Sequence, residues 1–466
     1  MAGASPAIPK RPRVAVLGGG ISGLTAALRL CPHAEVTLVE AGDRLGGLGT
    51  FLDGRLGGRV DGRAVERFYH CIMPTDDHLL ALLEDVGLRD HVGWRSTGMG
   101  MVVGRKRYPF NTPLDLLRFH PLRLHQRVWL GAVSRALPYL PQRRDLDEVR
   151  TDEWLCGLYG KELWQRIWEP LFRSKFGPSV GAVPALYLWQ RMGRERNVAL
   201  RGYPRGGYKT IIDAIDSAIG ERGGTVRTST AALAVSELDG ERQGVRIDLG
   251  DGDALIADWV VSTLPLPVLR RLTAADAELA TQVPQLHLRY QGVVNALFVL
   301  ARPLDGHYWT PILSSGTDFD GVVEMSALTG ADRYGGLHLA YAMRYTERHS
   351  PLFQESDESV AERWTTQLLE LYADLPLTRD DVLDVRVARA PFVEPVYPLG
   401  YRQRKPGMRV GRTRLLLATS AQVYPHVTSW NSSVELANAV VEELVRLVHL
   451  QDVEPKLQLG TSSGHR

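Results

Sequence analysis

The chain has 466 residues, room for two or three domain-sized units and a substantial core. Apolar residues make up 44% and charged residues 23%, and 46 Gly with 27 Pro fall short of collagen-like or low-complexity chains, which excludes a fibre or wholesale disorder. With 55 basic against 53 acidic residues the net charge is +2, so no strong field favours a nucleic-acid partner.

Residues 14–17 form a short β-branched, apolar run that leads into Gly18-Gly19-Gly20-Ile21-Ser22-Gly23 and a helix-like stretch at 24–30, which reads as strand, tight turn, helix. A second strand at 36–39 ends on Glu40, 22 positions after Gly18. The unit is βαβ, so a parallel sheet opens the protein and the fold class is α/β. Farther on, Gly206-Gly207-Tyr208 precedes an amphipathic helix pattern from Ile211 to Ile219, and strands are expected at 225–228, 245–249 and 259–263, the last closed by Pro265. A late strand at 415–418 runs through a polar loop to a helix at 434–448. These pieces predict one discontinuous cofactor domain over 11–85, 201–275 and 405–450. A second, substrate-binding domain takes 86–200 and 276–404, with a helical part at 110–200, and 451–466 is a polar tail.

Residues 415–434 are the longest stretch without Lys, Arg, Asp or Glu, yet Thr419, Ser420, Gln422, Pro425, Ser429, Asn431 and Ser433 make them too polar for a membrane span. The N-terminal 13 residues lack an apolar h-region, so export is not expected. Cys31, Cys71 and Cys156 are far apart and form no C-x-x-C, which fits a reduced cytoplasmic compartment and predicts no metal site.

Gly18-x-Gly20-x-x-Gly23 places glycines where a backbone must approach a pyrophosphate, at a helix N-terminus with free N–H groups. Glu40 stands at the distance from which a carboxylate accepts ribose hydroxyls and would repel a 2′-phosphate. The alternative is an ordinary glycine turn. Directly after Glu40, Ala41-Gly42-Asp43-Arg44-Leu45-Gly46-Gly47 adds an arginine and a glycine pair, which separates FAD from NAD. Here the sequence resembles the flavin amine oxidase superfamily, whose second glycine motif lies against the FAD pyrophosphate and ribityl chain. The resemblance implies FAD contacts at Arg44, Gly46 and Gly47, and likewise at Ile21, Ser22, Ala41, Ala232 and Thr263.

Glu66-Arg67-Phe68-Tyr69-His70, residues 108–117, 169–177, 202–207 and 262–265, and Pro395-Val396-Tyr397 resemble the bacterial protoporphyrinogen-oxidase-like branch, with matches from about residue 12 to 448. The resemblance implies a Rossmann-like FAD-binding domain interleaved with a mixed α+β substrate-binding domain. At the C-terminal end that family has an acidic residue against the ribityl chain; this chain reads Ala418-Thr419-Ser420-Ala421-Gln422 with no carboxylate, leaving Ser420 or Gln422 for the contact. By the same resemblance the loop Thr428-Ser429-Trp430-Asn431 aims backbone N–H groups at the flavin pyrimidine, where donors stabilise charge on reduced flavin. A plain Ser/Asn helix cap is compatible with that role.

His70 follows an aromatic pair and either steers a proton near the flavin or is a hydrogen-bonded structural histidine. Arg344, Tyr345, Tyr397 and Glu324 are candidates for substrate contact or for structural hydrogen bonding, and Trp154, Trp164, Trp168 and Trp189 suit helix packing. Some amine-oxidising relatives set a lysine beside the flavin from a mid-domain strand; this chain has no lysine between Lys209 and Lys405, which weighs against simple amine oxidation. The last cysteine is Cys156, so covalent attachment through a C-terminal cysteine is excluded and non-covalent FAD is expected. Residues 116–144 hold Arg118, Arg123, Arg127, Arg135, Arg143 and Arg144 with no acidic residue, interleaved with apolar side chains. That is the composition of a membrane-surface helix, of a mouth for an anionic or lipid-linked substrate, or of a basic face on a soluble domain, and it admits peripheral contact at the inner membrane face.

Three functions are weighed. The first is an FAD-dependent oxidoreductase that moves a hydride to or from a medium-sized, cyclic or conjugated small molecule. The second is a redox-neutral flavoenzyme resembling UDP-galactopyranose mutase, with arginines holding a nucleotide-sugar diphosphate. The third is an inactive FAD-binding scaffold, suggested only by the missing C-terminal carboxylate.

Overall fold

Strand Arg13–Leu17 lies at the centre of a five-stranded parallel sheet because nearly all its side chains are apolar, so both faces can be covered. In this computed structural model, which describes residues 11–52, 64–139, 145–194, 199–238, 243–285 and 288–458, the sheet order is Leu415–Leu417, Trp259–Ser262, Arg13–Leu17, Glu35–Val39, Thr225–Arg227. Helix Ile21–Leu30 makes the first crossover and packs against helix Tyr208–Glu221 and the last helix, Trp430–Gln458. Segments more than 150 residues apart therefore meet in one sheet, as the repeated strand patterns imply.

The strand expected at 245–249 is present at Gly244–Leu249, in a separate antiparallel sheet ordered Ala232–Leu238, Gly244–Leu249, Ala254–Ala257. Its alternating pattern, with Arg246 exposed and Val245 and Ile247 buried, suits a sheet covered on one face. The last helix starts at Trp430 rather than 434, because Ser429 and Ser432 exchange hydrogen bonds that close its first turn. It also continues through Gln458, into the stretch expected as a polar tail. The N-terminal residues before Arg11, Arg143 and Arg144 lie outside the described residues.

A seven-stranded sheet draws on both intervening stretches, in the order Val382–Val396, Arg289–Leu300, His338–Thr346, Gly321–Glu324, His307–Ser314, Gly98–Val103, Lys106–Pro109. Along Arg289–Leu300, Val294, Ala296 and Phe298 pack on helix Asp357–Leu371 through Trp364 and Leu368, while Val293 and Asn295 face a cavity on the other side. This is the period-two alternation of a strand. Helices Pro113–Leu117, Leu124–Ala136, Glu169–Phe176 and Ala185–Arg194 wall that cavity from a third direction.

Candidate functional site

Two glycine turns clasp each other at the carboxyl end of the parallel sheet. Gly46 donates its N–H to the Gly19 carbonyl at 2.8 Å, and Gly20 and Gly46 form a parallel bridge. Gly18, at φ +103°, and Gly46, at φ +110°, adopt conformations that favour glycine, and Gly23 must stay bare because a Cβ would stand 1.8 Å from the Gly18 carbonyl oxygen. Gly20 is different: its φ of −71° suits any residue, and a Cβ there would meet nothing nearer than the Gly47 Cα at 3.9 Å. A side chain at Gly20 would fill the cradle rather than break the turn.

Glu40 accepts the Gly19 N–H at 2.6 Å and the Gly42 N–H at 2.7 Å, so its carboxylate ties the two turns together while lining the cavity. Ser22 donates its hydroxyl to the Ala418 and Ser433 carbonyls, which anchors the first turn to the C-terminal strand and helix. Gly18, Gly20, Ile21, Ser22, Glu40, Gly46, Gly47, Thr263, Ser420, Ser429 and Trp430 all line one cavity of about 1290 Å³, together with His70 and Tyr345. The cradle between the turns and the adjacent N-terminus of helix Ile21–Leu30 suit a dinucleotide pyrophosphate.

Seven expected site residues lie outside the lining, each for a visible reason. Gly23 packs beneath the turn, Ala41 is exposed beside it, and Ala232 opens the antiparallel sheet. Arg44 turns to Phe51, donating to its carbonyl at 3.1 Å with the guanidinium over the ring. Asn431 accepts the Leu79 N–H at 3.0 Å and so caps helix Asp77–Asp85. Arg344 donates to the Asp318 carbonyl, and Tyr397 donates to the Ser420 carbonyl from a cluster with Tyr187, Tyr401 and Tyr424. Of the two candidates for the missing carboxylate, Gln422 is spent on the Thr419 N–H and the Gly407 carbonyl, which leaves Ser420 at the cavity. Glu324 is structural, accepting the Leu304 and Gly306 N–H groups.

His70 packs against the Tyr208 and Trp430 rings, with Nδ1 2.9 Å from the Phe68 carbonyl. Burial pulls its pKa down to about 4, against the opposing pull of that carbonyl. The imidazole is therefore neutral at pH 7, its Nδ1–H donating to Phe68 and its Nε2 left as an acceptor. Asp320, also in the lining, is pushed up to about 7 by burial, with the Arg344 charge acting against the shift.

Sequence reasoning missed Lys175. It enters the cavity from helix Glu169–Phe176, 3.0 Å from Glu394 Oε2 and over the Tyr345 ring, while the Tyr187 hydroxyl donates to the other Glu394 oxygen. No lysine stands between Lys209 and Lys405, and a helix far away in sequence supplies one to the same cavity. The available signal was its rarity, since the chain has only seven lysines.

The family model for flavin containing amine oxidoreductase matches residues 21–440. A 44-residue stretch is 59% identical to polyamine oxidase 1 of Oryza sativa subsp. japonica, only 9% of either chain. The probable zeta-carotene desaturase of Synechococcus elongatus is 23% identical over 83% of this chain and 90% of its own length. Among solved structures, a protoporphyrinogen oxidase-like protein of Exiguobacterium sp. 255-15 has a TM-score of 0.71 at 19% identity, covering 94% of this chain and 99% of its own. Reduced UDP-galactopyranose mutase has a TM-score of 0.72 at 15% identity, covering 94% and 96%. At such identities the structural matches speak for the fold, and the family match carries the chemistry. The glycine cradle fits the cofactor that the family model implies, and the chain belongs to the flavin containing amine oxidoreductase family as an FAD-dependent oxidoreductase.

Proposed function

We propose that the protein moves a hydride between non-covalently held FAD and a medium-sized, largely apolar organic molecule that is cyclic or conjugated. One observation carries the reading: a single cavity runs from the glycine turns to an apolar chamber walled by Met99, Met101, Phe110, Leu116, Trp168 and Trp189. Its volume, about 1290 Å³, exceeds the roughly 300–1,000 Å³ of a typical small-ligand pocket, so cofactor and substrate can lie in it together. FAD supplies the two-electron chemistry, and the protein supplies orientation, water exclusion and proton handling. The aromatic and methionine walls exclude water from the reacting carbon. Neutral His70 can accept a hydrogen bond or a proton at Nε2, and the Lys175–Glu394 pair gives the chamber one fixed polar point. The reading includes contact with a membrane or a lipid-linked substrate through residues 116–144, whose helices share the chamber wall.

The names of the relatives supply the test panel: zeta-carotene, protoporphyrinogen and a polyamine such as putrescine. Mixed anaerobically with the yellow protein, an apolar conjugated or cyclic compound is expected to bleach the flavin, and putrescine is not. Acid precipitation should leave all the flavin in the supernatant. The redox-neutral reading keeps one supporting feature besides the shared fold, since Arg191 and Arg201 reach the cavity and could hold a diphosphate. Dithionite-reduced protein that interconverts a sugar nucleotide without net redox change, while no panel member bleaches the oxidised form, would put that reading first.

A further inference from the structure

We infer that helices Pro113–Leu117 and Leu124–Ala136 form a docking face for an anionic lipid bilayer, placed at the mouth of the cavity so that an apolar substrate can enter from the lipid. The inference deepens the proposed function and rests on its apolar chamber.

Among the described residues nine large hydrophobic side chains stand exposed, and six of them are Leu114, Leu117, Leu124, Val128, Trp129 and Tyr139. Helix Leu124–Ala136 buries Gln126, Leu130 and Val133 on one face, so its other face should be polar. Instead Leu124 and Val128, one turn apart, are 62% and 55% exposed. Trp129 is 53% exposed although its indole N–H is satisfied by the Leu158 carbonyl, so the uncovered part of the ring is apolar. An apolar patch this concentrated needs a covering partner.

Charge selects the partner. Arg118, Arg123 and Arg135 are exposed around the patch, and Arg127 lies beside it. From 113 to 139 the one carboxylate is Asp115, and it is occupied by the Asn111 and Thr112 N–H groups in a helix-capping box. Arginines rimming exposed Leu, Val and Trp match an interface of phosphate headgroups over acyl chains. The two helices are too short to span a bilayer, and no helix among the described residues is long and apolar enough to cross one, so the face lies in the interface plane.

Position links the face to the site. Leu116, Leu130, Arg135 and Tyr139 line the cavity, and Tyr139 is 74% exposed, so the chamber reaches the surface beside the patch. A molecule dissolved in the bilayer would meet the chamber without crossing water.

The test is co-sedimentation of the full-length, FAD-loaded protein with phosphatidylcholine vesicles and with vesicles that also contain phosphatidylglycerol. The wild type should pellet with the anionic vesicles and release as salt is raised. Leu124→Glu with Val128→Glu should weaken partitioning at least tenfold, and Arg118→Gln with Arg123→Gln should weaken it by roughly fivefold per charge, both without loss of flavin absorbance. Failure of the wild type to pellet at low salt, or equal pelleting of the Leu124→Glu, Val128→Glu variant, overturns the inference. So does a wild type that dimerises through the face and becomes monomeric in that variant, which would make a second copy the covering partner. Flavin content read in the same samples separates the outcomes: yellow protein that ignores vesicles leaves the proposed redox function standing.

Discussion

Replacement of Gly20 by valine separates folding from cofactor binding. The backbone at Gly20, φ −71° and ψ 175°, is extended and suits a β-branched residue, and the nearest atom to a new Cβ is the Gly47 Cα at 3.9 Å. Fixing such a glycine should hold or slightly raise the stability of the flavin-free protein, by about 0.4–1 kcal/mol. The branched side chain would instead occupy the cradle between the two turns and keep the pyrophosphate from the helix N-terminus. Loss of two charge-assisted hydrogen bonds at roughly 1.5–3 kcal/mol each costs about 3–6 kcal/mol, a 10²- to 10⁴-fold rise in the dissociation constant. The assay compares flavin content after purification, FAD affinity by fluorescence quenching, and urea unfolding of the flavin-free protein. Gly23→Ala is the contrast, because its Cβ would stand 1.8 Å from the Gly18 carbonyl oxygen and the turn itself must give way. A Gly20→Val protein purified with full flavin occupancy would mean that the cofactor phosphates lie elsewhere.

Three other outcomes are expected. The depressed His70 pKa means that the unfolded chain binds more protons than the folded one between about 4 and 6.5, so stability is fully present above that window and falls as pH drops through it. His70→Gln should flatten that limb of the urea-unfolding free energy against pH, by about 3 kcal/mol across the window, and an unchanged limb would place the titration in another group. Lys175→Met leaves Glu394 buried and facing an uncharged neighbour and should cost about 3–5 kcal/mol in urea unfolding, most of it restored in the Lys175→Met, Glu394→Gln double variant. Asn431→Ala removes the acceptor for the Leu79 N–H and should cost about 1 kcal/mol while leaving the flavin midpoint potential in place; a moved midpoint would show that Asn431 acts on the flavin directly.

The sequence alone determined the features that are local. Gly18, Gly46 and Gly47 have positive φ, a property of one residue and its neighbours, so the glycine turns could be read before any contact was known. The runs at 14–17, 36–39 and 259–262 became buried parallel strands because continuous β-branched character needs both faces covered, which is also a local pattern. Side-chain destination was not local. Asn431 points to Leu79 because helices Asp77–Asp85 and Trp430–Gln458 pack together, and Lys175 meets Glu394 because helix Glu169–Phe176 lies against the long sheet. Neither pairing leaves a periodic trace. The outward apolar face of helix Leu124–Ala136 shows the same division: its composition was visible in the chain, but which of its residues remain uncovered was decided only when Gln126, Leu130 and Val133 took the buried side, since burial depends on what the rest of the chain brings to that face.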